Sequence, residues 1–142
     1  MKIVINNWHG GFNLSNEAIA RYIELKGLKL YSHWDDQWKW NSYFIVPYEE
    51  YEKAHKNDMT KTEWEGQDEG VGRYKVSNEL CWSWRDIERN DPVLIQVIEE
   101  LGTEADNRYS ELKIVEIPDD VEWIIEEYDG LEWVAEKHRT WS

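Results

Sequence analysis

Lys2-Ile3-Val4-Ile5-Asn6-Asn7-Trp8-His9-Gly10-Gly11-Phe12-Asn13-Leu14-Ser15 decides the fold class, because it reads as a strand, a glycine turn and the start of a helix. The β-branched run Ile3-Val4-Ile5 favours an extended chain. Ser15 is a good N-cap and Glu17 puts a negative charge on the first helical turn, where the helix dipole favours it. Leu14 and Ile19 stand at the two positions of a hydrophobic staple. Ile19, Tyr22, Ile23 and Lys26 keep helical spacing, and Gly27 ends the helix as its C′ residue.

Outward from that stretch, residues 28–46 concentrate rings: Tyr31, Trp34, Trp38, Trp40, Tyr43 and Phe44. Trp38 and Trp40 alternate around Lys39, so two short strands are expected around a polar turn at Asp35-Asp36. Pro47 can open a short helix through Tyr51 and Ala54. Residues 57–72 are polar and glycine-bearing with Trp64 as the one apolar anchor, and are expected as a mobile loop. Alternation returns from Arg73 to Arg85, with Tyr74, Val76, Leu80, Trp82 and Trp84 on one face of a strand. Asp91-Pro92 caps a second main helix, carried by Leu94, Ile95, Val97, Ile98 and Leu101 and stopped by Gly102. Residues 103–111 are polar, Leu112–Ile117 reads as a strand, and Asp129-Gly130 is a hairpin turn with its return strand from Glu132 to Trp141. The expectation is an α+β protein: a mostly antiparallel sheet, two main helices and a C-terminal β-hairpin, without an internal domain boundary in 1–142.

Composition narrows the functional classes. The chain has 142 residues with 30 acids against 16 bases, a net charge of −14, and ten tryptophans, eight tyrosines and one cysteine. Such a charge disfavours a long DNA or RNA backbone, which needs a basic footprint, and an anionic membrane surface. A 14% aromatic content argues against an acidic disordered chain. Cys81 alone makes neither an internal disulfide nor a four-ligand zinc site, and suggests a reducing compartment. With no signal-peptide core and no apolar span, a soluble, cytoplasmic protein is expected.

Enzyme templates are absent: there is no Gly-x-Ser-x-Gly, no Walker loop and no His-Glu-x-x-His. His9, His33, His55 and His138 are scattered, and carboxylate pairs such as Asp35-Asp36 are common by chance in so acidic a chain. A binding protein without catalysis, metal or cofactor is the expectation. The glycine pair Gly10-Gly11 between strand and helix exposes N–H groups ahead of a positive helix end, which suits phosphate or carboxylate. Asn6, Asn7 and Ser15 can add neutral donors, and His9 a charged one when protonated; the alternative is a tight connection under the sheet. A second locus is the tail, where His138, Arg139 and Trp141 follow a run, Glu111 to Glu136, of ten acids and one base, Lys113. Arg85 and Arg89 follow Trp82 and Trp84, so a ring and a guanidinium can share a pocket. With Phe12 and Trp84, these residues make a ligand set for a small ring-bearing anion. Each stacked base contributes roughly 1–3 kcal/mol and each charge-assisted bond about 1.5–3 kcal/mol.

Several blocks resemble a group of small tailed-phage and prophage proteins. They are Lys2-Ile3-Val4-Ile5-Asn6-Asn7 with Gly10-Gly11-Phe12 and Leu14-Ser15, then Arg89-Asn90-Asp91-Pro92, Glu99-Glu100-Leu101-Gly102, and the closing run from Lys113 to Trp141. The blocks cover about half of the chain; residues 28–84 have no counterpart. The resemblance implies a viral sponge of the anti-CBASS or anti-Thoeris kind. Such a protein would be a homo-oligomer that sequesters a host's cyclic nucleotide signal (a cyclic di- or trinucleotide or a cyclic ADP-ribose type) intact, in the bacterial cytoplasm. The competing reading is an acidic inhibitor that mimics nucleic acid and docks on a basic host defence protein. Its motivation is the charge of residues 111–136, which equally suits a solvated strand face.

Overall fold

The computed structural model describes residues 1–60 and 75–137. The chain divides into two compact units, Met1–Gly27 with Trp84–Ser142, and Leu28–Ser83. Its class is α+β, with four α-helices, seven strands and every strand pair antiparallel among the described residues. The strands form three small sheets rather than one continuous sheet.

In the first unit, β1 (Lys2–Asn6) pairs with β5 (Leu112–Glu116), Lys2 opposite Glu116 and Asn6 opposite Leu112. Ile3, Val4 and Ile5 are all buried, so β1 is covered on both faces. Helix α1 (Asn16–Lys26) starts at Ser15, whose Oγ accepts the Ala18 N–H, and ends at left-handed Gly27. Helix α4 (Pro92–Leu101) starts at Asp91, which accepts the Val93 N–H, with Pro92 in the first turn. Ala18, Ile19 and Tyr22 of α1 and Leu94, Ile95, Val97 and Ile98 of α4 form the core with β1. A fully buried aliphatic side chain of this kind contributes about 1.5–3 kcal/mol. The helices are also tied by polar groups: the Tyr22 hydroxyl donates to Asp91 at 2.6 Å and Lys26 lies 3.2 Å from the same carboxylate. Strands β6 (Trp123–Tyr128) and β7 (Leu131–Glu136) form the expected hairpin around Asp129-Gly130.

In the second unit, β2 (Tyr31–Asp35), β3 (Trp40–Phe44) and β4 (Cys81–Trp82) lie side by side. The turn between β2 and β3 is closed by Asp35, which accepts the Trp38 N–H, and by Lys39 at φ 54. Phe44 is buried against Tyr51 and Tyr48 of α2 (Tyr48–Thr60), at ring distances of 4.4 and 5.5 Å. Asp58, almost fully buried, accepts the N–H of Ser77 in α3 (Lys75–Glu79) and so joins the two helices.

Two expectations are corrected here. Residues 57–60, read as the start of a loop, continue α2, which is supported by a Glu52–Lys56 ion pair and by the burial of Asp58. The remainder of that expected loop, 61–72, lies outside the described residues. The expected strand from Arg73 to Arg85 is instead α3, the two-residue β4 and a 3₁₀ turn at Trp84–Asp86; residues 73 and 74 are likewise outside the described ones. Period-two counting included Val76, which is exposed, and missed that Ser77 finds its partner nineteen residues back in Asp58. The return strand of the hairpin runs over Leu131–Glu136, and the last part of its expected span, 138–141, lies outside the described residues.

Candidate functional site

Asn6, the last residue of β1, organises one end of the first unit. Its side chain is fully buried. Nδ2 donates to the carbonyls of Trp8 and Gly130, and Oδ1 accepts the N–H of Glu111. Its own N–H donates to Glu132 Oε1 at 2.8 Å. One amide therefore gathers three loops: 7–11 after β1, 106–111 before β5, and the β6–β7 turn. The Asn7 N–H donates to the Glu111 carbonyl at 2.7 Å and reinforces the junction.

The glycines have steric reasons to be there. A Cβ on Gly10 would stand 1.8 Å from the Tyr109 carbonyl oxygen, so the loop passes against the 106–111 backbone only as glycine. A Cβ on Gly130 would meet the His9 carbonyl oxygen at 2.4 Å. Gly11 adopts φ +93 with open space around it, so its role is conformational.

The polar groups expected to face a ligand divide into two sets. Ser15 is buried; its hydroxyl donates to the Glu104 carbonyl and caps Ala18, while its N–H donates to the Ala105 carbonyl. The start of α1 is thus covered by the 102–105 turn. Arg89 forms a two-pronged ion pair with Glu132, at 2.7 and 2.9 Å, and donates to the Val4 carbonyl. Its backbone carbonyl accepts the Val4 N–H. Arg89 and Glu132 together satisfy the second edge of β1 in place of a third strand. The Arg89 guanidinium lies 3.4 Å from the Phe12 ring centre, Phe12 leans on Trp84 at 5.7 Å, and Arg85 covers Trp84 at 4.9 Å. Phe12, Trp84, Arg85 and Arg89 therefore do form one ring–guanidinium stack, but Trp84 is buried and Arg89 is held by Glu132. His138, Arg139 and Trp141 lie outside the described residues.

The accessible part of the three-loop end carries Asn7 and His9, with His9 Nδ1 4.0 Å from Asp129. Beside them are residues that sequence reasoning passed over. Trp8 is 46% exposed and Tyr109 is 51% exposed. The Arg108 guanidinium sits 5.2 Å from the Tyr109 ring and makes no ion pair among the described residues. Asn107 fixes this turn by accepting the Tyr109 N–H. The only signal for it in the sequence is the turn-forming Asn107 before Arg108-Tyr109, inside a segment read simply as polar. Two exposed rings and two groups able to carry positive charge thus sit on loops fastened by one buried amide. That inventory suits stacking of a planar group and pairing with an anion.

Asp91 marks the opposite, structural use of a carboxylate. Burial alone would raise its pKa, but hydrogen bonds from Tyr22, the Val93 N–H and Lys26 outweigh burial and hold it below the usual carboxylate value. Tyr22 is pushed well above an ordinary phenol by burial first and by Asp91 second. No group of metal-ligating side chains occurs among the described residues, and no described helix is long and apolar enough to cross a membrane. Comparison with protein-family models, curated proteins and solved structures gave no match to this chain.

Proposed function

We propose that the protein binds a small cyclic nucleotide at the three-loop end of its first unit and holds it without cleaving it. In this reading a phage protein removes a host immune signal from solution by stoichiometric sequestration. The observation that carries the reading is the Asn6 junction, which presents Trp8, His9, Arg108 and Tyr109 together on fastened loops. The rings supply stacking surfaces for bases, and Arg108 supplies a phosphate partner. Two stacks at roughly 1–3 kcal/mol each and one or two charge-assisted bonds at about 1.5–3 kcal/mol supply roughly 4–12 kcal/mol in all, and only the surplus over the ordering cost shows as affinity. The acidic surface elsewhere repels long polyanions and leaves the anion site small and local.

The test is depletion and recovery. Purified protein is incubated with a panel of cyclic dinucleotides, cyclic trinucleotides and cyclic ADP-ribose isomers, and the free ligand is measured after filtration. One member should be depleted in proportion to protein and return chemically intact when the protein is heat-denatured. A hydrolysed product would replace sequestration with catalysis, and depletion of no member would remove the nucleotide reading.

A further inference from the structure

The β6–β7 hairpin carries a second surface, independent of the loop end. In its register Glu126 faces Trp133 and Tyr128 faces Leu131, and the Lys137 N–H to Glu122 carbonyl bond (2.9 Å) extends the ladder. Side chains alternate between faces, so Trp123, Ile125, Glu132 and Val134 share the face on which Glu132 reaches Arg89 and β1. The other face holds Glu122, Ile124, Glu126 and Tyr128 on β6, beside Leu131, Trp133 and Ala135 on β7. That face is open: Tyr128 is 74% and Trp133 42% exposed. Strand β6 pairs with β7 on one side and, among the described residues, with no strand on the other. In an antiparallel ladder alternate residues aim their backbone groups outward, here Trp123, Ile125 and Glu127.

We propose that this free edge of β6 is a docking strip for an extended segment of a partner protein that carries Lys or Arg and an apolar residue in turn at every second position. Strand addition satisfies the outward N–H and C=O groups of Trp123, Ile125 and Glu127. Along the open face β6 alternates acid and apolar, Glu122, Ile124, Glu126, Tyr128, so an added strand matches it with base and apolar in turn. Charge complementarity decides the occupant. No base occurs between Lys113 and Lys137, and the open-face acids Glu122 and Glu126 form no ion pair among the described residues, Glu126 accepting only the Trp133 indole N–H there. A second copy of β6 in the same place would set acids beside acids and rings, without a compensating cation.

The experiment uses the full chain and dye-labelled synthetic peptides, with binding read by fluorescence anisotropy. A peptide repeating Lys-Thr-Val-Thr, which sets lysine and valine in turn on one face, should bind. The same peptide N-methylated at each threonine, whose N–H faces β6 in an antiparallel addition, should bind about ten-fold more weakly or not at all. So should a Lys-Thr-Gly-Thr peptide, which keeps the charge and loses the apolar contacts. The double variant Glu122→Lys/Glu126→Lys should lose about ten-fold for the Lys-Thr-Val-Thr peptide and gain a Glu-Thr-Val-Thr peptide. If circular dichroism shows that the double variant has not folded, the N-methyl and glycine comparisons on the unaltered chain still decide. Equal binding of all basic peptides, or a failure of the Lys-Thr-Val-Thr peptide to bind, overturns the proposal. So does sedimentation showing a dimer that the double variant abolishes, since that places a second copy on the edge.

Discussion

At the scale of single residues, two side chains hold more of the structure than their chemistry announces. Asn6 makes one bond with its backbone N–H and three with its side-chain amide, all in a buried setting. Asn6→Ala strands the Glu111 N–H and the Gly130 carbonyl, each worth about 1–3 kcal/mol when left unsatisfied. Urea unfolding should show a loss of roughly 2–4 kcal/mol for Asn6→Ala. Asn7→Ala should stay within about 0.5 kcal/mol, because its exposed side chain makes no bond among the described residues. Arg89 and Glu132 form the second pair. Removing one partner leaves a largely buried charge, so Arg89→Met and Glu132→Gln should each cost about 2–5 kcal/mol. The double variant should cost clearly less than their sum, and a double-mutant cycle by denaturant titration measures the difference. The sequence could not disclose either arrangement. Asn6 bonds across more than a hundred residues, and Arg89 read as a ligand cation and Glu132 as one more surface acid until the fold brought them to the same edge of β1.

At the scale of elements, legibility follows how local the causes are. Helices α1 and α4 were readable because their caps, Ser15 with Gly27 and Asp91-Pro92 with Gly102, act within a few residues. The β6–β7 hairpin was readable from Asp129-Gly130, whose positive φ values a tight turn requires. Helix α3 was not, because Lys75–Glu79 owes its anchoring to Asp58 and its apolar Val76 faces outward. The tie between α1 and α4 makes an acid-side prediction. The Asp91 carboxyl lies lower in the fold than in the unfolded chain, where about 3.9 is usual, so its contribution is complete above that value and disappears as pH falls through the folded value. Asp91→Asn should therefore lower stability at neutral pH and flatten its decline below about pH 4, compared with the unaltered chain in thermal melts across pH 2–7.

At the scale of the whole molecule, the rings divide between the two units according to different uses. The second unit, Leu28–Ser83, takes in nearly the whole aromatic section, 28–84. Trp38, at 73% exposure on the β2–β3 turn, shows that an abundance of tryptophan is not by itself a core. Trp38→Ala should change stability by less than about 1 kcal/mol, whereas Trp84→Ala should lose about 3–5 kcal/mol. The net charge of −14 likewise separates by position: Glu132 turns inward to Arg89, while Glu122, Glu127 and Glu136 stay outside on the hairpin. Of the expected ligand set, Asn6 and Gly10 build the loop end, Ser15 caps α1 against the 102–105 turn, and Arg89 closes the edge of β1. Asn7 and His9 remain on its surface, where Trp8, Arg108 and Tyr109 join them.

The most direct test of this account is a calorimetric titration of the depleted cyclic nucleotide into the unaltered chain and into the Trp8→Ala/Tyr109→Ala variant, both with unchanged circular dichroism. Losing two stacking surfaces at roughly 1–3 kcal/mol each should weaken binding by at least about thirty-fold while the stoichiometry of any residual binding is retained. Equal affinity in the two proteins would place the ligand elsewhere and contradict the assignment of the three-loop end.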